Sequence, residues 1–530
     1  MTGVVEIFVG LLLAVAVFAL LARKLHIPYP ILFVVGGLLI ALIPKLPKVR
    51  LDPELVFLFF LPPLLFPAAL FTSWRDFRAN LRPISLLAIG LVLFTTVAVA
   101  LLAHYFMNLP LAAGFVLGAI ISPPDAIAAS AIAERLRIPR RIVTILEGES
   151  LVNDATALVA YRFAIVAAAT GSFSLTEATG QFFLVSIGGI LIGAAIGWLA
   201  EQFHRRVEDA PIEITVSLLT PFVAYLLAER FGVSGVLAVV TAGLYLGWRL
   251  PEILSFQTRL RGGPVWEMVE FLLNGFVFVL IGLQLPEVLG ALSAKTIPIP
   301  RLIYYALLIS VAVVLIRILW VFPATYLPRL IFKKLCRRDP YPAWRHVTIV
   351  AWTGMRGVVS LAAAMALPLT TQSGAPFPGR DLILFLTFVV ILATLVVQGL
   401  SLPLLIRWLG VKDDGSMEKE ERQARLRANQ AALAKLDNVT QKDPAKDDAL
   451  QRLRIEYEDH IRQIEGADPA SAGTPLRRFS SEYERLSHFA LDQERRTIIQ
   501  LRNENVISDE VLRRIQRDID LAEARLLSHR

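Results

Sequence analysis

An all-α polytopic membrane domain followed by a soluble helical tail is the fold class this sequence predicts, on three observations. Mean hydropathy is +0.59 and 55% of the 530 residues are hydrophobic, too apolar for a water-soluble chain of this length. Residues 1–411 alternate long apolar stretches with short charged loops, whereas 412–530 are charged and hold no apolar stretch of span length. Two of the apolar stretches carry helix-breaking residues at their middles, Pro123-Pro124 in one and Gly354 with Gly357 in the other. The domains are therefore placed at 1–411 and 412–530.

A window of about twenty residues, the length that crosses a bilayer core, finds roughly thirteen spans. Residues 3–22 lack a basic leader and a small-residue cleavage site, so they are read as a first span rather than a signal peptide. Spans 2 to 4 follow at 27–44, 54–72 and 83–107, with Lys45, Lys48 and Arg50 after the second and Arg75, Arg78 and Arg82 after the third. Span 5, 110–133, contains Ser122-Pro123-Pro124-Asp125 and leads into Arg135, Arg137, Arg140 and Arg141. Span 6, 147–169, contains Glu149, Ser150, Asn153 and Asp154. Spans 7 to 9 fall at 181–203, 212–230 and 233–248, with Arg205 and Arg206 after the seventh and Arg259 and Arg261 after the ninth. Spans 10 to 13 fall at 265–286, 302–327, 347–368 and 382–409. Arg329, Lys333, Lys334, Arg337, Arg338 and Arg345 follow span 11. Apart from the group after span 2, these clusters all sit on odd-numbered connections. Basic loops face the cytoplasm, which places the N-terminus outside and the tail inside.

Proline cannot donate a backbone hydrogen bond and disfavours helix at the residue before it, so span 5 is expected to break near Ser122. The bland alternative is a kink. Gly354 and Gly357 bracket Arg356 and make span 12 a second break, which suggests an inverted-repeat transporter with a pair of interrupted helices. Ionisable groups inside the spans are expensive and mark ion pathways. They are read as Asp125, Glu149, Asp154, Arg162, Glu267, Glu270, Arg317 and Arg356.

Glu149 and Asp154 are five residues apart, about 140° around a helix, so they face different neighbours. Glu149 is assigned to a structural ion pair with Arg317, a permanent cation. Arg356 is expected at the carbonyl ends of the broken helices, or else in an ordinary buried pair. Arg162 snorkels toward the interface, Glu267 and Glu270 sit near a span end, and Asn274 is a weaker polar candidate. Asp154 is the ligand: a buried carboxylate can hold a proton or a hard cation, not both, and that competition is itself an exchange mechanism. Ser150, one turn earlier, is a second oxygen ligand, with Ser122 and carbonyls of the span-5 break as further ones. Asn153 cannot ionise and is expected to bond across to that break near Asp125. One titrating carboxylate per cycle favours electroneutral exchange.

The stretch from Ile121 to Ala164 resembles the sodium/proton exchanger family, in its cation:proton antiporter-1 branch, through Gly148-Glu149-Ser150 and Asn153-Asp154. So do LPPLLF at 61–66, GVSGVLAVVTAGLYLG at 232–247, LLNGFVFVLIGLQLP at 272–286, WTGMRGVVSLA at 352–362 and VVQGLSLPLL at 396–405. The resemblance covers 1–411. It implies thirteen helices in inverted repeats, crossed broken helices 5 and 12, a homodimer and elevator-like alternating access. It implies Asp154 as cation and proton site with Ser150 as co-ligand, Asn153 as the electroneutral signature, a Glu149–Arg317 pair, and Asp125 and Arg356 at the breaks. Two departures stand out: Ala126 follows Asp125 where relatives have proline, and Pro67 occupies the place of a helix-3 acid.

The expected function is antiport of Na⁺, with Li⁺ or K⁺ as further cargo, against H⁺ across the plasma membrane, with K⁺/H⁺ exchange as the alternative. An intramembrane enzyme using Asp125 and Asp154 is the reading from another class, opposed by the lack of an Asp-rich repeat or His-Glu pair. A channel is opposed by the closed one-site competition. No cofactor, no resident metal and no nucleic-acid partner is expected; the net charge of +8 lies mostly in loops between spans. Cys336 stands alone, so no internal disulfide forms. The tail reads as a cytoplasmic helical hairpin or bundle, with 466–475 as a linker and Ser508 as an N-cap.

Overall fold

The computed structural model describes residues 2–25, 28–43, 56–125, 138–170, 175–293, 298–371, 374–413 and 415–437, with scattered positions within 129–136 and 451–521. The described residues are almost entirely helical, the sole extended pairing among them being an isolated bridge between Thr370 and Pro376. The chain divides into two compact units, Met1–Asp413 and Asp414–Arg530.

In the first unit run α1 (Thr2–Leu25), α2 (Tyr29–Ala41), α3 (Leu61–Phe71), α4 (Trp74–Ala79), α5 (Leu81–Met107) and α6 (Leu111–Ile121). Then come α7 (Arg140–Thr170), α8 (Leu175–His204), α9 (Ala210–Arg230), α10 (Gly235–Ile253), α11 (Phe256–Ser293) and α12 (Ile299–Ile331). A short α13 (Lys333–Arg338) precedes α14 (Trp344–Trp352), α15 (Val358–Met365) and α16 (Arg380–Leu409). Eight helices among the described residues are long and apolar enough to cross a membrane, and four shorter apolar ones accompany them. Each of the thirteen predicted stretches contains helix. Two are interrupted where the sequence implied: α6 stops at Ile121 ahead of Ser122–Asp125, and residues 353–357 part α14 from α15.

Inside a bilayer the lipid is as apolar as leucine, so helices associate by close packing rather than by escape from water. Packing here forms two apolar cores, and α7 belongs to both. Ile142, Leu146, Tyr161 and Ala164 enter the core shared with α5, α6, α12 and α14–α16. Leu151 and Ala155, one turn apart on another face, enter the core of α3, α8, α9 and α10. α1 and α8 are the least buried spans and α16 the most. α5 widens to a π-helical turn over Leu86–Leu91. Such a turn frees a carbonyl from the regular ladder, and the indole N–H of Trp320 on α12 donates to Leu86 O at 3.0 Å.

In the second unit α17 spans Ser416–Asp437. The linker at 466–475 and the Ser508 cap lie outside the described residues, as do Lys45, Lys48, Arg50, Ala126, Arg135 and Arg137.

Candidate functional site

The site begins where span 5 loses its helix. Pro123 and Pro124 have no N–H, so carbonyls one turn earlier lose their partners, and buried backbone groups must find others. Ser122 Oγ donates to Ala119 O at 3.0 Å, supplying the bond Pro123 cannot make. The Asp125 N–H leaves its own helix and donates to Met355 O in the span-12 break at 2.7 Å. That frees Ile121 O, which accepts from Arg356 Nε at 2.9 Å, while Ser122 O accepts from Arg356 Nη2 at 3.4 Å. Pro124 O accepts from Asn153 Nδ2 at 2.8 Å. The two breaks are thus tied to each other by one backbone bond and one arginine, and the Asn153 amide ties the span-5 break to α7.

Arg356 is fully buried. Its Nη1 also donates to Gly354 O, and its backbone N–H donates to Thr394 Oγ1 on α16 at 3.1 Å. It serves carbonyls rather than a carboxylate. Both glycines of this break are closely packed by side chains. A Cβ at Gly354 would meet the Arg317 and Arg356 side chains, and one at Gly357 would overlap the Asp125 carboxylate.

Beside the breaks, α7 carries two buried acids with opposite circumstances. Arg317 of α12 donates Nη1 to Glu149 Oε1 at 2.5 Å and Nη2 to Oε2 at 2.7 Å, with both side chains 1% exposed. Its Nε donates to Val350 O of α14 at 3.1 Å, which fixes the fork. Asp154 is also buried. Among the described residues no protein group hydrogen-bonds or ion-pairs its carboxylate. Asp125, half-buried, lies near enough for the two charges to interact. Two carboxylates in one low-dielectric space repel unless a proton or a cation neutralises them. Ser150 is half-buried one turn before Asp154.

In the span-5 break the carbonyls of Ala119, Ile121, Ser122 and Pro124 each accept a protein donor, and a carbonyl so bonded keeps a second lone pair. The Ser122 hydroxyl donates its proton to its own helix and keeps its oxygen lone pairs. Arg162 does not snorkel alone: its Nη2 lies 2.8 Å from both carboxylate oxygens of Glu229 on α9, a partner 67 residues away. Glu267 is exposed, Glu270 half-buried, and Asn274 buried with Oδ1 unpartnered.

Glu201, His204 and Glu213 are buried ionisable residues that escape a reading of the sequence. They stand at span ends beside Arg205, Arg206, Glu208 and Asp209, and so read as loop charges. Glu201 is the satisfied one, accepting from Tyr245 Oη at 2.5 Å, Arg205 Nη2 at 2.7 Å and Arg249 Nε at 3.2 Å. Only its i,i+4 spacing to Arg205 could have signalled this.

With this geometry in hand, the likenesses to known proteins are informative. The family model for the transmembrane sodium/hydrogen exchanger matches residues 10–408. An uncharacterized Na(+)/H(+) exchanger of Mycobacterium tuberculosis is 39% identical over 526 residues, covering 98% of this chain and 96% of the relative. A sodium, potassium, lithium and rubidium/H(+) antiporter of Bacillus subtilis is 39% identical over 389 residues, 72% of this chain and 58% of the relative. The solved structure of the sodium proton antiporter MjNhaP1 from Methanocaldococcus jannaschii shares the fold, with a TM-score of 0.60 and 20% identity over 77% of this chain and 99% of that one.

Proposed function

The chain belongs to the sodium/hydrogen exchanger family, membrane antiporters rather than enzymes, and from that premise we propose that it exchanges Na⁺ for H⁺ by competition at Asp154. The observation that carries this reading is the contrast on α7: a buried carboxylate with no hydrogen-bond or ion-pair partner among the described residues lies five residues from one held in a bidentate pair. An arginine-bound carboxylate stays ionised and is spoken for, whereas an unpaired one in an apolar bundle requires a proton or a cation. A proton arriving on one side displaces the cation, and the reverse occurs on the other. Ser150 supplies a second oxygen, and Asp125 adds negative charge nearby. Asn153 and Arg356 hold the broken helices without titrating. One carboxylate exchanging one proton for one monovalent cation makes the cycle electroneutral.

The membrane is the plasma membrane, the N-terminus lies outside and the tail inside, and the assembly is a homodimer with elevator-like movement. A separate tail begins near residue 412. The Bacillus subtilis relative's printed substrates favour a broader cargo that includes K⁺, and the buried Pro67 at the place of the helix-3 acid points the same way by removing one anionic ligand.

The test is a cation panel. Purified protein in vesicles under an imposed pH gradient should release protons on addition of Na⁺, and the same assay ranks Li⁺ and K⁺. A flat trace with all three cations overturns the exchange reading, and a rate that follows an imposed membrane potential overturns electroneutrality.

A further inference from the structure

Where α3, α8 and α10 end and α9 and α11 begin, a cavity of about 200 Å³ opens between helix ends, and none of the residues of the ion site lines it. His204 and Glu213 line it and are 2% and 1% exposed. Among the described residues both ring nitrogens of His204 lack a hydrogen-bond partner, and so does Glu213 Oε2. Thr258 hydrogen-bonds the Glu213 carboxylate. Ser217 Oγ, on the same wall, accepts from Trp266 Nε1 at 3.0 Å and keeps a second lone pair. Leu70, Ile214, Leu250 and Trp266 make the remaining wall apolar. Buried polar atoms in native proteins are nearly always bonded, and three orphans in one cavity are unusual.

We propose that this cavity binds a primary ammonium group on a carbon carrier. The unfilled groups are mostly acceptors: a carboxylate oxygen, one nitrogen of a neutral imidazole and a serine lone pair. An R–NH₃⁺ group brings three donors and the charge that Glu213 needs. An alkali cation fits less well, because the wall offers few oxygens and an imidazole. A quaternary ammonium has no donors at all. Two sources share this chemistry, a free amine and the headgroup of an aminophospholipid, whose phosphate would meet Arg259 at the rim.

The experiment uses full-length protein in detergent, with n-butylammonium chloride and tetramethylammonium chloride compared by thermal unfolding at fixed ionic strength. Butylammonium should raise the unfolding midpoint saturably and tetramethylammonium should not. Glu213→Gln should weaken the apparent affinity roughly tenfold to a hundredfold, as loss of a charge-assisted bond does, and His204→Leu should weaken it less. Asp154→Asn should respond like wild type, which separates this site from the transport site. A lipid arm identifies the source: retention of phosphatidylethanolamine over phosphatidylcholine, lost in Glu213→Gln, assigns the headgroup, while a response to butylammonium alone assigns a free amine. No saturable response to either probe overturns the proposal. So does a Glu213→Gln protein that responds like wild type, or loss of the response in Asp154→Asn.

Discussion

Glu149 and Asp154 share a helix, a depth of burial and a charge type, yet their surroundings have little in common. Around Glu149 every contact is made: two guanidinium nitrogens occupy its two oxygens, and the third nitrogen of the same arginine is pinned to Val350 O. Around Asp154 the neighbours are a second carboxylate and an amide turned toward Pro124. A rotation of about 140° between the two positions separates them. The comparison teaches that a membrane protein can bury two like acids on one helix for opposite ends, one to join helices and one to remain open.

The contrast can be broken from the structural side first. Arg317→Met leaves Glu149 buried without its partner and should cost about 3–5 kcal/mol of stability. Thermal unfolding of the single variant and of the double variant with Glu149→Gln measures it, and the double variant should regain most of the loss. Asn153→Ala takes the donor from Pro124 O and should cost about 1–3 kcal/mol, read by the same unfolding curve. Asp154→Asn should have the smallest effect on folding, about 1 kcal/mol or less, because it removes a charge that no group among the described residues pairs. Its Na⁺-driven proton flux should nevertheless fall to background. Flux that survives in Asp154→Asn moves the proposed ion site elsewhere.

Much of this was legible in the sequence because its causes are local. Pro123-Pro124 must interrupt a helix, glycines flanking Arg356 must weaken one, and acids five apart must face apart. The meeting of Asn153 with the first break and of Arg317 with Glu149 followed from asking what a buried amide and a buried acid need. What was not legible depends on elements distant in sequence. Glu201, His204 and Glu213 look like loop charges until Tyr245, Arg249 and Trp266 close over their helix ends. The Glu229 partner of Arg162 is likewise a product of packing.

The occupied carbonyls of the span-5 break carry a kinetic consequence. Ion filters that strip a cation bare do so with rings of vacant backbone oxygens. Here those at Ala119, Ile121, Ser122 and Pro124 already share their electron density with protein donors, so they would be weaker ligands, and a cation arriving at Asp154 would keep part of its hydration shell. Loose coordination shortens residence. Release would then be quick, and the pace of the proposed alternating-access cycle would be set by its conformational step rather than by how fast the cation lets go.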